Sequence, residues 1–68
     1  MEKNVKYPQV QIQLTGGDGN AFAILGKVQR AMRRAGLTPD QVAEYQAEAT
    51  AGDYNYLLAT TMRYVEVA

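Results

Sequence analysis

Between Leu14 and Ala21 the apolar periodicity changes from two to about 3.6, and this one switch constrains the fold more than any other feature of the chain. Before it, Val10, Ile12 and Leu14 alternate with Gln9, Gln11 and Gln13. That alternation predicts a strand with one buried and one wet face. Pro8 suits the start of such a strand, where no ladder donor is required. Residues 1–6 are expected to fray. After the switch, Ala21, Ile24, Leu25, Val28, Ala31, Met32 and Ala35 recur at helical spacing. At about 100° per residue they fall within an arc of about 120°. Asn20 is placed as the N-cap, and Gly36 as the left-handed stop.

The rest of the chain is punctuated as clearly. In "LTPDQV", Thr38 caps a second helix, Pro39 takes its first position, and Gln41 closes a capping box. Leu37 and Val42 are spaced as a hydrophobic staple. This helix is predicted to run to about Ala51, with Gly52 ending it and Val42, Tyr45 and Ala49 as its buried stripe. Asp53 caps a third, shorter helix through "YNYLLATTM", anchored by Leu57, Leu58 and Met62. "RYVEV" then alternates again, with Val65 and Val67 on one face and Tyr64 and Glu66 on the other. The prediction is an α+β domain in the order β-α-α-α-β. A two-stranded sheet packs on about three helices, and the closing strand pairs with the first. No Gly or Pro marks the last helix–strand boundary, and strand direction stays open.

Composition removes several function classes. The 68 residues include no His, Cys, Ser or Trp. Ser–His and Cys–His nucleophiles and His- or Cys-ligated zinc are therefore excluded, as are disulfides. The expectation is a non-enzymatic protein with no cofactor and no metal. A carboxylate-dependent enzyme, with a pocket near Asp18 or Asp53, is the weakest alternative. Seven Lys and Arg balance seven Asp and Glu, so no global field draws the chain to nucleic acid or anionic lipid. No apolar run approaches the ~20 residues of a membrane span. A cytoplasmic protein is expected. A chain this short buries only about 60% of its unfolded surface, and two strands leave two open edges. Both facts favour a homodimer.

The pattern "VQIQLTGGDGNAFAILGKVQRAMRRAG" followed by "TPDQVAEYQAEATAGDYNYLLATTMRYVEV" resembles a family of small bacterial and phage proteins. That family has a G-x-DGNAF-x-hydrophobic-x-G motif early and an ATSGDY-like motif late; here they read "GGDGNAFAILG" and "EATAGDY". The likeness covers about residues 9–67. It implies a small α/β protein and carries no substrate, cofactor or site residue that can be transferred by position.

Five features are candidates for function. The loop of Gly16, Gly17, Gly19 and Asn20 can cradle an anion at a helix start. It lacks the Gly-Lys-Ser/Thr ending of a phosphate loop, and Asp18 repels phosphate, so a strand-to-helix corner is the simpler reading. Lys27, Arg30, Arg33 and Arg34 form a basic side on the first helix, either a nucleic-acid contact or a solvated face. Asp40, Glu44 and Glu48 line the second helix at i, i+4 and i+8, a pattern more typical of a solvated face than of a metal site. The five tyrosines favour interfaces. Finally, Phe22 and Gly26 flank the apolar arc of the first helix. With Arg30, Arg33, Tyr54 and Tyr56 they make the preferred candidate surface for a protein partner. A phage- or bacterium-encoded interaction protein acting on a host or defence complex is the concrete expectation, and nucleic-acid binding by the basic side is the alternative.

Overall fold

The structure, a computed structural model, describes residues 5–14 and 20–67. Its elements run β1 (Tyr7–Ile12), α1 (Ala21–Arg34), α2 (Pro39–Ala49), α3 (Tyr54–Tyr64) and β2 (Val65–Val67). The β-α-α-α-β order and the α+β class are those predicted. The sheet has two strands, and they are parallel.

β1 buries Tyr7, Val10 and Ile12 and turns Gln9 and Gln11 outward. Its pairing with β2 is irregular between Tyr7 and Gln11, the stretch that contains Pro8. Proline has no N–H to give to a ladder, so the irregularity falls where a donor is missing. Leu14, predicted in the strand, lies beyond its end and packs half-buried on the core.

The helix ends follow their signals. Asn20 accepts the Phe22 N–H at 2.7 Å. α1 closes with a Schellman motif: the Gly36 N–H donates to the Arg33 carbonyl and the Leu37 N–H to the Met32 carbonyl, at 3.0 and 3.1 Å. Gly36 sits at φ +90°, where a side chain is strained. At α2, Thr38 Oγ1 accepts from the Gln41 N–H and Gln41 Oε1 accepts from the Thr38 N–H, the reciprocal capping box. α2 stops two residues earlier than predicted, at Ala49. Gly52 has no positive φ and does not end the helix by conformation. Its role is steric: a Cβ there would sit 2.8 Å from Cβ and Cγ of Tyr56.

The core joins both strands to all three helices through Val10, Ile24, Val28, Met32, Tyr45, Leu57 and Val65. α2 buries Val42, Tyr45 and Ala49, the stripe the sequence predicts. α3 follows its prediction at the Asp53 cap and at Leu57 but not along the rest of its buried face. It buries Leu57, Thr60, Thr61 and Tyr64, while Met62 is 61% exposed and Leu58 only half-buried. Tyr64 belongs to this helix and not to the strand. Its spacing from Leu57 is one helical heptad, so it completes the i, i+3, i+4, i+7 face. The threonines can occupy that face because their hydroxyls are paired. Thr61 Oγ1 donates to the Leu57 carbonyl at 2.9 Å, which leaves it the acceptor for Tyr45 Oη at 2.7 Å. Arg63 donates to Thr60 Oγ1. Among the described residues no buried side-chain polar atom lacks a partner.

Candidate functional site

The N-terminal turn of α1 faces the N-terminal turn of α3 across the last turn of α2. Ala21, Phe22 and Leu25 form one wall; Ala49 forms the floor; Tyr54 and Leu57 form the other wall. The cleft they enclose has a volume of about 210 Å³ and is lined almost entirely by carbon. Local sequence explains its position. Asn20 and Asp53 each cap a helix start, and those caps fix where the two walls begin. The turn Thr50–Asp53 then closes the far side. Phe22 stands at the rim, 83% exposed, beside Tyr54 at 40%. No other described aromatic residue is so open to water.

The six residues of the predicted partner surface are divided by the fold. Phe22 and Tyr54 meet at the cleft. Gly26 lies one turn further along α1, and the Arg30 guanidinium folds back over it: a Cβ at Gly26 would lie 3.5 Å from Arg30 Nη1. Arg30 also reaches the opposite flank of α1, and Arg33 points to solvent. Tyr56 is turned away from the cleft into a cluster between α2 and α3. There its hydroxyl donates to Glu48, Arg63 lies 3.6 Å from the same carboxylate, and the guanidinium stands 5.9 Å from the Tyr56 ring. Tyr56 and Glu48 therefore hold two helices together.

The other tyrosines are structural as well. The rings of Tyr7, Tyr64 and Tyr45 form a chain with centroid separations of 6.1 and 5.4 Å, tying β1 to α3 and α2. The Lys6 ammonium caps this chain, 5.7 Å from the Tyr7 ring and 5.2 Å from the Tyr64 ring, and bonds Glu44 at 2.6 Å. That bond holds the Lys6 pKa above its ordinary value. Burial raises the Tyr45 and Tyr64 hydroxyls. Glu44 and Glu48 of the acidic side of α2 are thus engaged by Lys6, just before β1, and by Arg63 of α3.

The basic side of α1 borders a second hollow. Lys27, Arg30 and Arg34 face Gln11, Ile12 and Gln13 across about 300 Å³. The Lys27 ammonium donates to the Gln13 carbonyl at 2.8 Å. The alternative nucleic-acid surface of Lys27, Arg30, Arg33 and Arg34 is therefore three residues on a groove and one, Arg33, on the outer face. Gly16, Gly17 and Gly19 of the anion-cradle reading, and Asp18, lie outside the described residues; Asn20 is committed to its cap. Asp53 is the cap of α3, accepting the Tyr56 N–H at 2.9 Å.

Sequence reasoning found Phe22 and Tyr54 but missed Ala49, Leu57 and Ala21 as their companions. Leu57 and Ala49 read as core, and they are; the cleft is the place where the core comes to the surface. No helix among the described residues is long and apolar enough to cross a membrane. Compared with protein-family models, curated proteins and solved structures, the chain matches none of them.

Proposed function

We propose that this chain is a non-enzymatic interaction protein that seats an apolar side chain of a partner protein in the cleft between α1 and α3. The observation that carries this reading is Phe22, 83% exposed at the rim of a carbon-lined hollow. Burying one such ring recovers about 2 kcal/mol, a term the isolated chain leaves unused. The cleft reaches the core through Leu25 and Leu57, so an inserted side chain would meet a rigid apolar floor. Tyr54 adds an amphipathic wall of the kind favoured where contact must be both dry and oriented. For a protein of bacterial or phage origin, the partner would be a component of a host or defence complex.

Selection of displayed random peptides on the immobilised protein tests this. The expected ligands share one large apolar anchor, and their affinity falls at least about tenfold for Phe22→Asp, a loss of about 1.4 kcal/mol. Ligands without such an anchor, or ligands indifferent to Phe22→Asp, would overturn the assignment of the cleft.

A further inference from the structure

Among the described residues, β1 is bonded on one side only. β2, its neighbour there, is three residues long against six in β1, and the pair is parallel. Parallel sheets ordinarily have more strands and covered faces, so a two-stranded one presents an incomplete edge. Along the edge of β1 away from β2 run two adjoining hollows, of about 300 and 240 Å³. No residue of β2 lines either one. One wall is the segment from Gln9 to Gln13, which carries the end of β1; the other is α1 from Lys27 to its C-cap Ala35, running in the opposite direction. Together they make a groove about 13 Å long, enough for four or five extended residues.

The groove is charged in one sense. Arg30 and Arg34 line it together with Lys27, and Gln9, Gln11 and Gln13 supply only neutral amides. Arg30 and Arg34 are four residues apart on α1, an axial separation of about 6 Å. Alternate residues of an extended chain, on one face, are about 6.6 Å apart. The two spacings agree. We propose that the free edge of β1 receives an extended acidic segment of a partner protein as a third strand, with alternate carboxylates paired to Arg30 and Arg34. Main-chain bonds to β1 provide the binding, and the two guanidinium groups set which sequences are accepted.

A second copy of this chain fits the groove less well. Residues Val5–Leu14 contain no Asp or Glu, so β1 of another copy brings no countercharge. A nucleic acid also fits less well, because no aromatic ring lines the groove to stack a base. The groove and the apolar cleft lie on opposite flanks of α1, since Leu25 and Lys27 are separated by about 200° around the helix. The two assignments can therefore fail separately.

The test is titration of the ¹⁵N-labelled protein with an acetylated, amidated hexapeptide alternating Glu and Val. The same peptide with Lys for Glu, and a short oligothymidylate, serve as comparisons. The Glu peptide is expected to shift the amides of Gln9–Gln13, and the Lys peptide is not. The double change Arg30→Glu, Arg34→Glu should weaken the Glu peptide at least about tenfold. Arg33→Glu makes the same kind of charge change outside the groove and should alter affinity less than about twofold. If the double variant loses its dispersed spectrum, the neutral pair Arg30→Gln, Arg34→Gln replaces it, with the same direction expected. Three results would each overturn the proposal: no shifts in β1 at millimolar peptide, equal binding of the Lys peptide, or tighter binding of the oligonucleotide at the same amides. Protection of those amides that rises with protein concentration alone would assign the edge to a second copy instead.

Discussion

Three glycines of this chain stand in three different situations. Gly36 is required by its backbone: at φ +90° it has open space around it, and only the conformation excludes other residues. Gly52 is required by its neighbour, since a Cβ would press on the Tyr56 side chain at 2.8 Å. Gly26 is required by neither within the described chain, because its Cβ would meet only the far end of Arg30, in ordinary contact at 3.5 Å. Gly26→Ala should therefore raise stability by about 0.5–1 kcal/mol, the helix-propensity difference, measured by urea unfolding. Gly52→Ala should lower it by about 1–3 kcal/mol, as overpacking does, and should also free the Tyr56 hydroxyl from Glu48. The contrast between the two substitutions is the informative quantity. A Gly26→Ala variant that unfolds more easily would show that the open space at this position is already in use. Phe22 belongs at this scale too. It is so exposed that Phe22→Ser should change unfolding free energy by less than about 0.5 kcal/mol, while reducing the binding of a hydrophobic dye.

The seam between α2 and α3 is the element-scale feature with the most chemistry. Tyr45 crosses it to reach Thr61, and the Thr61 hydroxyl in turn donates a hydrogen bond to the Leu57 carbonyl. Tyr45→Phe removes the donor but leaves Thr61 bonded, so the expected cost is about 1 kcal/mol. The same residue gives the fold an alkaline limit. Burial raises the Tyr45 hydroxyl above its ordinary value of 10.0, and it raises Tyr64 likewise. The unfolded chain then releases these protons before the folded one does. Stability is full below the ordinary tyrosine value and falls as the pH rises through the raised folded values. Urea midpoints measured upward from pH 9 should decline, and Tyr45→Phe should flatten that decline. A Tyr45→Phe slope equal to the parent slope would mean that the buried hydroxyl does not control it. α3 also explains the one element whose core face the sequence hid. Thr60 and Thr61 read as polar, and no Gly or Pro separated Tyr64 from the strand. The apolar count therefore shifted toward Leu58 and Met62.

Across the whole molecule, charge is segregated although the sum is zero. Acids on α2 are engaged by Lys6 and Arg63, whereas the cations of α1 border the open edge of β1. The apolar opening lies on the other flank of the same helix. α1 thus separates two surfaces of different chemistry, one cationic and one apolar, and the two proposed contacts would hold a partner at two points. Binding at two linked points multiplies affinity without new contacts at either, provided that both can be engaged together. If both proposed contacts form, adding salt should weaken the charged contact at the groove and leave the one at the carbon-lined cleft in place.

Capping chemistry and apolar spacing are local properties, and the sequence alone determined what depends on them. Asn20, Thr38, Asp53 and Gly36 bound their helices because a cap needs only its own neighbours in the chain. The stripe Val42, Tyr45, Ala49 and the order of the elements follow from the same short-range rules. Tertiary structure decided the rest. Tyr64 and the two threonines became core only when α2 supplied partners across the seam. Phe22 and Tyr54 came to line one cleft only when α1 and α3 were packed together, and Tyr56 became a brace only when α3 folded back on α2. Adjacency between remote segments is set by how faces bury one another, and a residue's own spacing along the chain does not record which face will meet it.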